Sequence, residues 1–87
     1  MEPALDAFER AAQAAKNLPR RPDNNTLLKL YALFKQGTQG DVDGPEPNPF
    51  DFVGRAKYEA WSKIQGMTRQ EARSHYIALV EQLNRPE

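Results

Sequence analysis

The sequence predicts an all-α protein, a four-helix bundle formed as one domain over residues 1–87. Three observations carry that prediction. Four separate stretches repeat apolar residues at helical spacing, each is punctuated by proline, glycine or a capping residue, and no stretch alternates apolar and polar residues as a half-buried strand would.

The first helix reads over residues 3–17, where Leu5, Phe8, Ala12 and Ala15 recur at helical spacing. Pro3 suits a first turn, and Leu18 before Pro19 closes the segment, because a residue preceding proline avoids the α region. The turn "PRRPDNN" then offers Asp23 or Asn24 as N-cap of a second helix. That helix reads over 24–36 and carries Leu27, Leu28, Leu30, Tyr31, Leu33 and Phe34. So wide an apolar arc needs cover on two sides. Gly37 and Gly40 are expected to end it.

Residues 38–51, "TQGDVDGPEPNPFD", lack periodicity and hold Pro45, Pro47 and Pro49, so they read as an irregular loop. Phe50 and Phe52 are expected to pin its far end. The third helix reads over 53–64, with Val53, Ala56, Ala60, Trp61 and Ile64 on one face and Gly66 as its stop. The fourth opens on a capping box, Thr68-Arg69-Gln70-Glu71, with Met67 and Ala72 as a weak hydrophobic staple. Ala72, Tyr76, Leu79, Val80 and Leu83 mark its buried face, and Asn84-Arg85-Pro86 ends it.

Composition excludes several classes of function. Twelve basic and twelve acidic residues cancel, so the basic excess of a general nucleic-acid binder is missing. No apolar run approaches the roughly 20 residues that span a bilayer, so no stable membrane insertion is expected. The start "MEPALDAFER" is no signal peptide, and the absence of cysteine fits a cytoplasmic address. A single small domain of this kind is expected to act as a monomer.

Catalytic and metal motifs are equally thin. His75 is the only histidine, and Ser74 beside it points to a different side of a helix. No histidine–acid set suits zinc. Asp41 and Asp43 lack the alternating ligand series of a calcium loop, and "GTQG" follows a helix with no sheet nearby. Neither an enzyme, nor a metal, nor a cofactor is expected.

One constellation remains: Tyr31, Phe34, Lys35, Lys57 and Tyr76, with Lys16 close by in the inferred bundle. Tyr31 and Lys35 are four apart and share a helix face. Two readings stay open on spacing alone. The rings are core and Lys35 is a solvated cation favoured by the helix dipole, or rings and ammonium groups together receive a flat anionic ligand.

The run "LLKLYALFKQGTQGD", followed by "GRAKYEAWSKIQG" and "EARSHYI", resembles the acyl-CoA-binding protein family (also known as the diazepam-binding inhibitor family), with Phe8, Lys16, Leu18 and Pro22 at the first-helix and first-turn landmarks. The resemblance covers nearly the whole chain without a gap. It implies an up-down-down-up bundle that pools and transports medium- to long-chain fatty acyl-CoA thioesters and performs no reaction. It implies, further, that Tyr31 and Lys35 meet the adenine and the ribose 3′-phosphate, and that Lys57 adds a second charge there. Tyr76 would close the nucleotide site, Lys16 would contribute from the first helix, and Leu27 and Leu28, with Ala12 opposite, would line the acyl path. Three positions depart from the family pattern. Phe34 stands where tyrosine is usual, a loss of about 1 kcal/mol for one hydroxyl contact; Tyr58 replaces the first of two paired tryptophans; Val53 lies where many members carry lysine. Contact with membranes or with acyl-CoA-using enzymes would be transient. The rival reading is a helical protein-interaction module whose apolar groove takes a partner helix.

Overall fold

The computed structural model describes residues 6–85. Four helices follow in order: α1 (Ala7–Ala14) continued by a 3-10 turn (Ala15–Asn17), α2 (Asn24–Gln39), α3 (Phe52–Ser62) and α4 (Arg69–Leu83). Each start is fixed by a side-chain oxygen on a free amide. The carboxylates of Asp6, Asp23 and Asp51 accept from the amides of Glu9, Thr26 and Gly54, and the Thr68 hydroxyl accepts from Glu71 N–H. In α1 and α4 the acid at the third position returns the bond, completing a capping box. The α1 box was not foreseen. It starts the helix at Ala7 rather than near residue 3; Pro3, Leu5 and Pro86, named above, lie outside the described residues.

Two further boundaries differ from expectation for stated reasons. α2 does not stop at Gln36 but continues through Gly37 to Gln39, and Gly40, at φ 87°, ends it. Gly37 is there for closeness, not for a turn: a Cβ on it would lie 3.0 Å from Arg73 Cγ and 3.4 Å from Phe8 Cζ. α3 runs from Phe52 to Ser62, one or two residues earlier than read, because Asp51 rather than the loop end serves as its cap.

Contacts between helices fix their directions. Arg69 Nη2 donates to Gln39 O (3.0 Å), Arg73 Nε donates to Gly37 O (2.8 Å), and Tyr76 meets Phe34 at a ring separation of 5.8 Å. Rising numbers in α4 meet falling numbers in α2, so these helices are antiparallel. α2 and α3 behave oppositely: Lys57 meets Tyr31 and Lys35 meets Trp61. They run parallel. A parallel neighbour cannot follow a tight turn, so residues 40–51 must return along α2, which is about 24 Å long for 16 residues. Twelve residues at about 3.3–3.6 Å each suffice. The long proline-rich connection is thus a geometric necessity of the bundle.

The core belongs to three helices. Phe8 and Ala11 of α1, Leu30 and Leu33 of α2, and Ala72, Tyr76 and Val80 of α4 form one buried cluster. α3 packs on α2 and contributes Trp61 as its buried residue. Two expectations fail here. Phe50 and Phe52 do not pin the loop; they are 85% and 75% exposed. Val53, placed on the buried face by its spacing, is 67% exposed, because the face of α3 that meets α2 is centred on Trp61 and is only one side chain deep.

Candidate functional site

The structure brings several of the predicted residues together in pairs drawn from α2, α3 and α4. Lys57 Nζ of α3 lies 5.2 Å from the centre of the Tyr31 ring of α2. One turn further, Lys35 Nζ of α2 lies 5.1 Å from the centre of the Trp61 ring of α3. Each helix thus offers an aromatic and a lysine four residues apart, and each lysine crosses to the other helix's ring. Such contacts are worth about 0.5–1 kcal/mol each at exposed sites. They bring two ammonium groups and two ring faces to a single crossing.

Phe34 and Tyr76 flank that crossing within a second ring cluster. Phe8 stacks on Phe34 with centroids 5.6 Å apart, and Tyr76 meets both, at 5.2 Å from Phe8 and 5.8 Å from Phe34. Burial raises the Tyr76 hydroxyl above its ordinary pKa, so it remains a neutral donor at physiological pH. Phe34, by contrast, keeps an exposed edge. Leu27 and Leu28 are half-buried on the first turns of α2, and Ala12 is half-buried on α1. Lys16 lies exposed on the 3-10 turn, with no ring or ion-pair contact that ties it to the others.

Beneath the crossing lies a polar knot that the sequence did not announce. Gln36 is fully buried. Its Nε2 donates to Met67 O (2.7 Å) and to Asp41 Oδ1 (2.8 Å), while its Oε1 accepts from Trp61 Nε1 (3.0 Å). Trp61 Nε1 also donates to Gly40 O (2.9 Å), and Asp41 Oδ1 accepts from Gly66 N–H (2.8 Å). One amide therefore joins α2, α3, the loop and the start of α4, and it fixes the ring on which Lys35 rests. The Gly66 amide, then the Gln36 side chain, hold the Asp41 carboxyl below its ordinary pKa. Asp41, set aside above as a calcium ligand, is a structural anchor. Asp43 similarly accepts from Gly44 N–H (2.8 Å). No group of three metal-ligating side chains occurs among the described residues.

Two functional candidates were missed at the sequence level. Trp61 was seen only as core, although Lys57 and Trp61 repeat the four-residue spacing of Tyr31 and Lys35 in reverse order. Phe8 was seen as a landmark, not as the ring that seats Phe34 and Tyr76. A separate groove of about 860 Å³ opens on the other side of α2, between α3 and α4, with Leu28, Ala32, Ala60 and Leu79 among its walls. Of the predicted site residues it holds only Leu28, so the ring–lysine crossing is a distinct surface.

Residues 5–80 match the family model described as Acyl CoA binding protein. The chain belongs to the acyl-CoA-binding protein family. It is 48% identical over 77 residues to acyl-CoA-binding protein homolog 1 of Caenorhabditis elegans, covering 88% of this chain and 90% of that protein. It is 46% identical over 76 residues to the acyl-CoA-binding protein of Saccharomyces cerevisiae, covering 87% of each. The crystal structure of Oryza sativa acyl-CoA-binding protein 2 superposes with a TM-score of 0.85 at 40% identity, covering 88% of this chain and 86% of that one. The all-α fold read from the sequence is therefore that of the acyl-CoA-binding protein family. The directions found for α2, α3 and α4, two parallel and the last antiparallel, agree with the down-down-up part of the order that the resemblance implied.

Proposed function

We infer that the protein binds medium- to long-chain fatty acyl-CoA thioesters without reacting with them, one per monomer, and so pools and carries them in the cytoplasm. The observation that carries this reading is the α2–α3 crossing, where Tyr31, Lys35, Lys57 and Trp61 set two cations and two aromatic faces together beside an apolar stretch. Membership of the family supports it. The whole chain acts as one binding domain, and no helix among the described residues is long and apolar enough to cross a membrane.

The chemistry divides along the ligand. Adenine stacks on Tyr31, a contact worth about 1–3 kcal/mol by analogy with base stacking on aromatic side chains. Lys35 and Lys57 take the ribose 3′-phosphate through charge-assisted hydrogen bonds, each about 1.5–3 kcal/mol. That exceeds the roughly 0.5–1 kcal/mol each lysine gives up by leaving its ring. Tyr76 closes the nucleotide end and Lys16 adds charge from α1. Leu27 and Ala12 line the acyl path, with Phe34 offering its exposed edge in place of a hydroxyl, whereas Leu28 faces the separate groove between α3 and α4. Half-burial of a palmitoyl chain, about seven methylenes at about 0.8 kcal/mol each, adds about 5–6 kcal/mol, or roughly four orders of magnitude in affinity.

Calorimetric titration with palmitoyl-CoA, free CoA and palmitate tests the proposal. Palmitoyl-CoA should bind one to one, and both fragments should bind far more weakly. No saturable heat at micromolar palmitoyl-CoA would end this reading, and equal affinity for palmitate would place the binding in a groove blind to the nucleotide.

A further inference from the structure

Residues 48–51 read Asn-Pro-Phe-Asp and close a turn just before α3. Asp51 N–H donates to Asn48 O (2.8 Å), the bond of a β-turn. Phe50 N–H donates to Asn48 Oδ1 (2.9 Å), which closes a second ring through the side chain. No non-glycine residue among those described has a positive φ, so the turn is not type II, and Pro49 at its second position suits type I. Gly54 N–H then donates to Asp51 Oδ1 (2.9 Å), which ties the turn to the first turn of α3.

Entry into a helix accounts for the asparagine, the proline and the capping aspartate, but any residue would serve at position 50. Phe50 stands there 85% exposed, with Asn48 and Pro49 exposed beside it. Asn48 Oδ1 is spent inside the turn, whereas its Nδ2 makes no hydrogen bond among the described residues. The turn therefore presents one free ring and one free amide donor, in a shape fixed before any partner arrives. The surroundings are acidic: Asp41, Asp43, Glu46 and Asp51 fall in a stretch with no lysine or arginine between Lys35 and Arg55.

We propose that the Asn48-Pro49-Phe50 turn is a docking motif for a protein domain of definite chemistry. That domain has an apolar pocket the size of one phenylalanine ring, a polar wall that receives the Asn48 amide, and a basic rim. EH domains, small paired EF-hand domains that read Asn-Pro-Phe in a turn closed by the asparagine side chain, are of this kind. The match is in structural context as well as in the three letters. Because the turn is already formed, binding pays little to order it. One ring and one turn make a small interface, so the contact is weak and transient, with the aromatic as its anchor. A featureless apolar surface would have no use for Asn48 and would take the exposed Phe52 as readily as Phe50. The docking leaves the α2–α3 crossing free, and it does not depend on the acyl-CoA reading.

The test is a titration of the isotope-labelled protein with a panel of recombinant EH domains, followed by NMR in buffer without lipid. Amide shifts should concentrate at residues 48–54 and saturate, and a free peptide containing Asn-Pro-Phe should reverse them. Phe50→Ala and Asn48→Ala should each weaken binding tenfold or more, and Phe52→Ala should stay within twofold of wild type. Asn48→Asp keeps the oxygen that closes the turn but lacks the amide donor. It should hold the melting temperature yet lose binding tenfold, which separates recognition from turn stability. Palmitoyl-CoA affinity should stay within twofold in all four variants. No saturable binding to any member of the panel overturns the proposal. So does an Asn48→Ala protein that binds like wild type, or a Phe52→Ala protein that loses as much as Phe50→Ala. Either result would assign the ring to an unselective apolar surface such as a bilayer. Shifts at 48–54 that grow with the protein's own concentration, without any EH domain, would assign the turn to a second copy and overturn the proposal as well.

Discussion

Tyr31 and Lys35 could be paired from the sequence because an aromatic and a cation at a separation of four must share a helix face, whereas the matching pair Lys57 and Trp61 went unread. What spacing could not say was which ring each cation would meet. Lys35 does not lie on Tyr31, its neighbour on α2, but on Trp61 of α3, and Lys57 answers from α3 onto Tyr31. Gln36 was invisible for a related reason: a glutamine reads as polar surface until the fold supplies Trp61, Met67 and Asp41 as its partners. Substitution at the two lysines should separate structure from binding. Lys35→Ala and Lys57→Ala should each weaken palmitoyl-CoA binding about tenfold by calorimetry, about 1.4 kcal/mol, with little change in melting temperature. A loss under twofold for Lys35→Ala would remove it from the phosphate site. Asp41 carries the pH prediction. Its lowered pKa means that the unfolded chain takes up the proton more readily, so its contribution is complete above the ordinary value of 3.8 and is lost as pH falls through the lower folded value. Thermal melts across that acid range should therefore fall less steeply for Asp41→Asn than for wild type, with Asp23 and Glu71, lowered by their capping bonds, still supplying a residual slope in both.

Among the helices, existence and order were legible throughout, while starts and stops depended on whether a cap advertised itself. The Thr68 box could be read because threonine and glutamate stand at the right separation before an apolar run. The Asp6 box has the same form, but an apolar residue ahead of it, Leu5, extended the apparent period and hid it. Gly37 shows the opposite error. A glycine inside a helical pattern reads as a stop until a neighbouring helix needs the space its missing side chain leaves. Asp51 and Gly54 offer the sharpest test at this level. Gly54→Ala should dislodge the Asp51 carboxylate from the amide it caps and cost about 1 kcal/mol in urea unfolding, despite alanine's better helix propensity. In an Asp51→Ala background the same substitution should cost nothing further, because the cap it disrupts is already gone. Additive losses in that cycle would mean that Gly54 matters for some other reason.

Taken as a whole the molecule is a three-helix body with one arm. α1, α2 and α4 share the buried cluster, whereas α3 rests on α2 through Trp61 and the crossed lysines. Local openings that release α3 should therefore be less costly than those that release α4. Native-state hydrogen exchange should show faster exchange in α3 than at Ala72–Val80 positions of α4, and palmitoyl-CoA, which would bridge body and arm, should slow α3 most. Uniform protection across all four helices would argue against that division. Trp61 gives this seam a further property. The only indole in the chain has an ammonium over its face and its N–H shared between Gln36 and Gly40. If a ligand's phosphate draws Lys35 away, as the proposed function expects, the electric field across the ring should change, and with it the colour and yield of its emission. The seam would then carry its own dye, and loading should be seen in unlabelled protein as a shift of near-ultraviolet light.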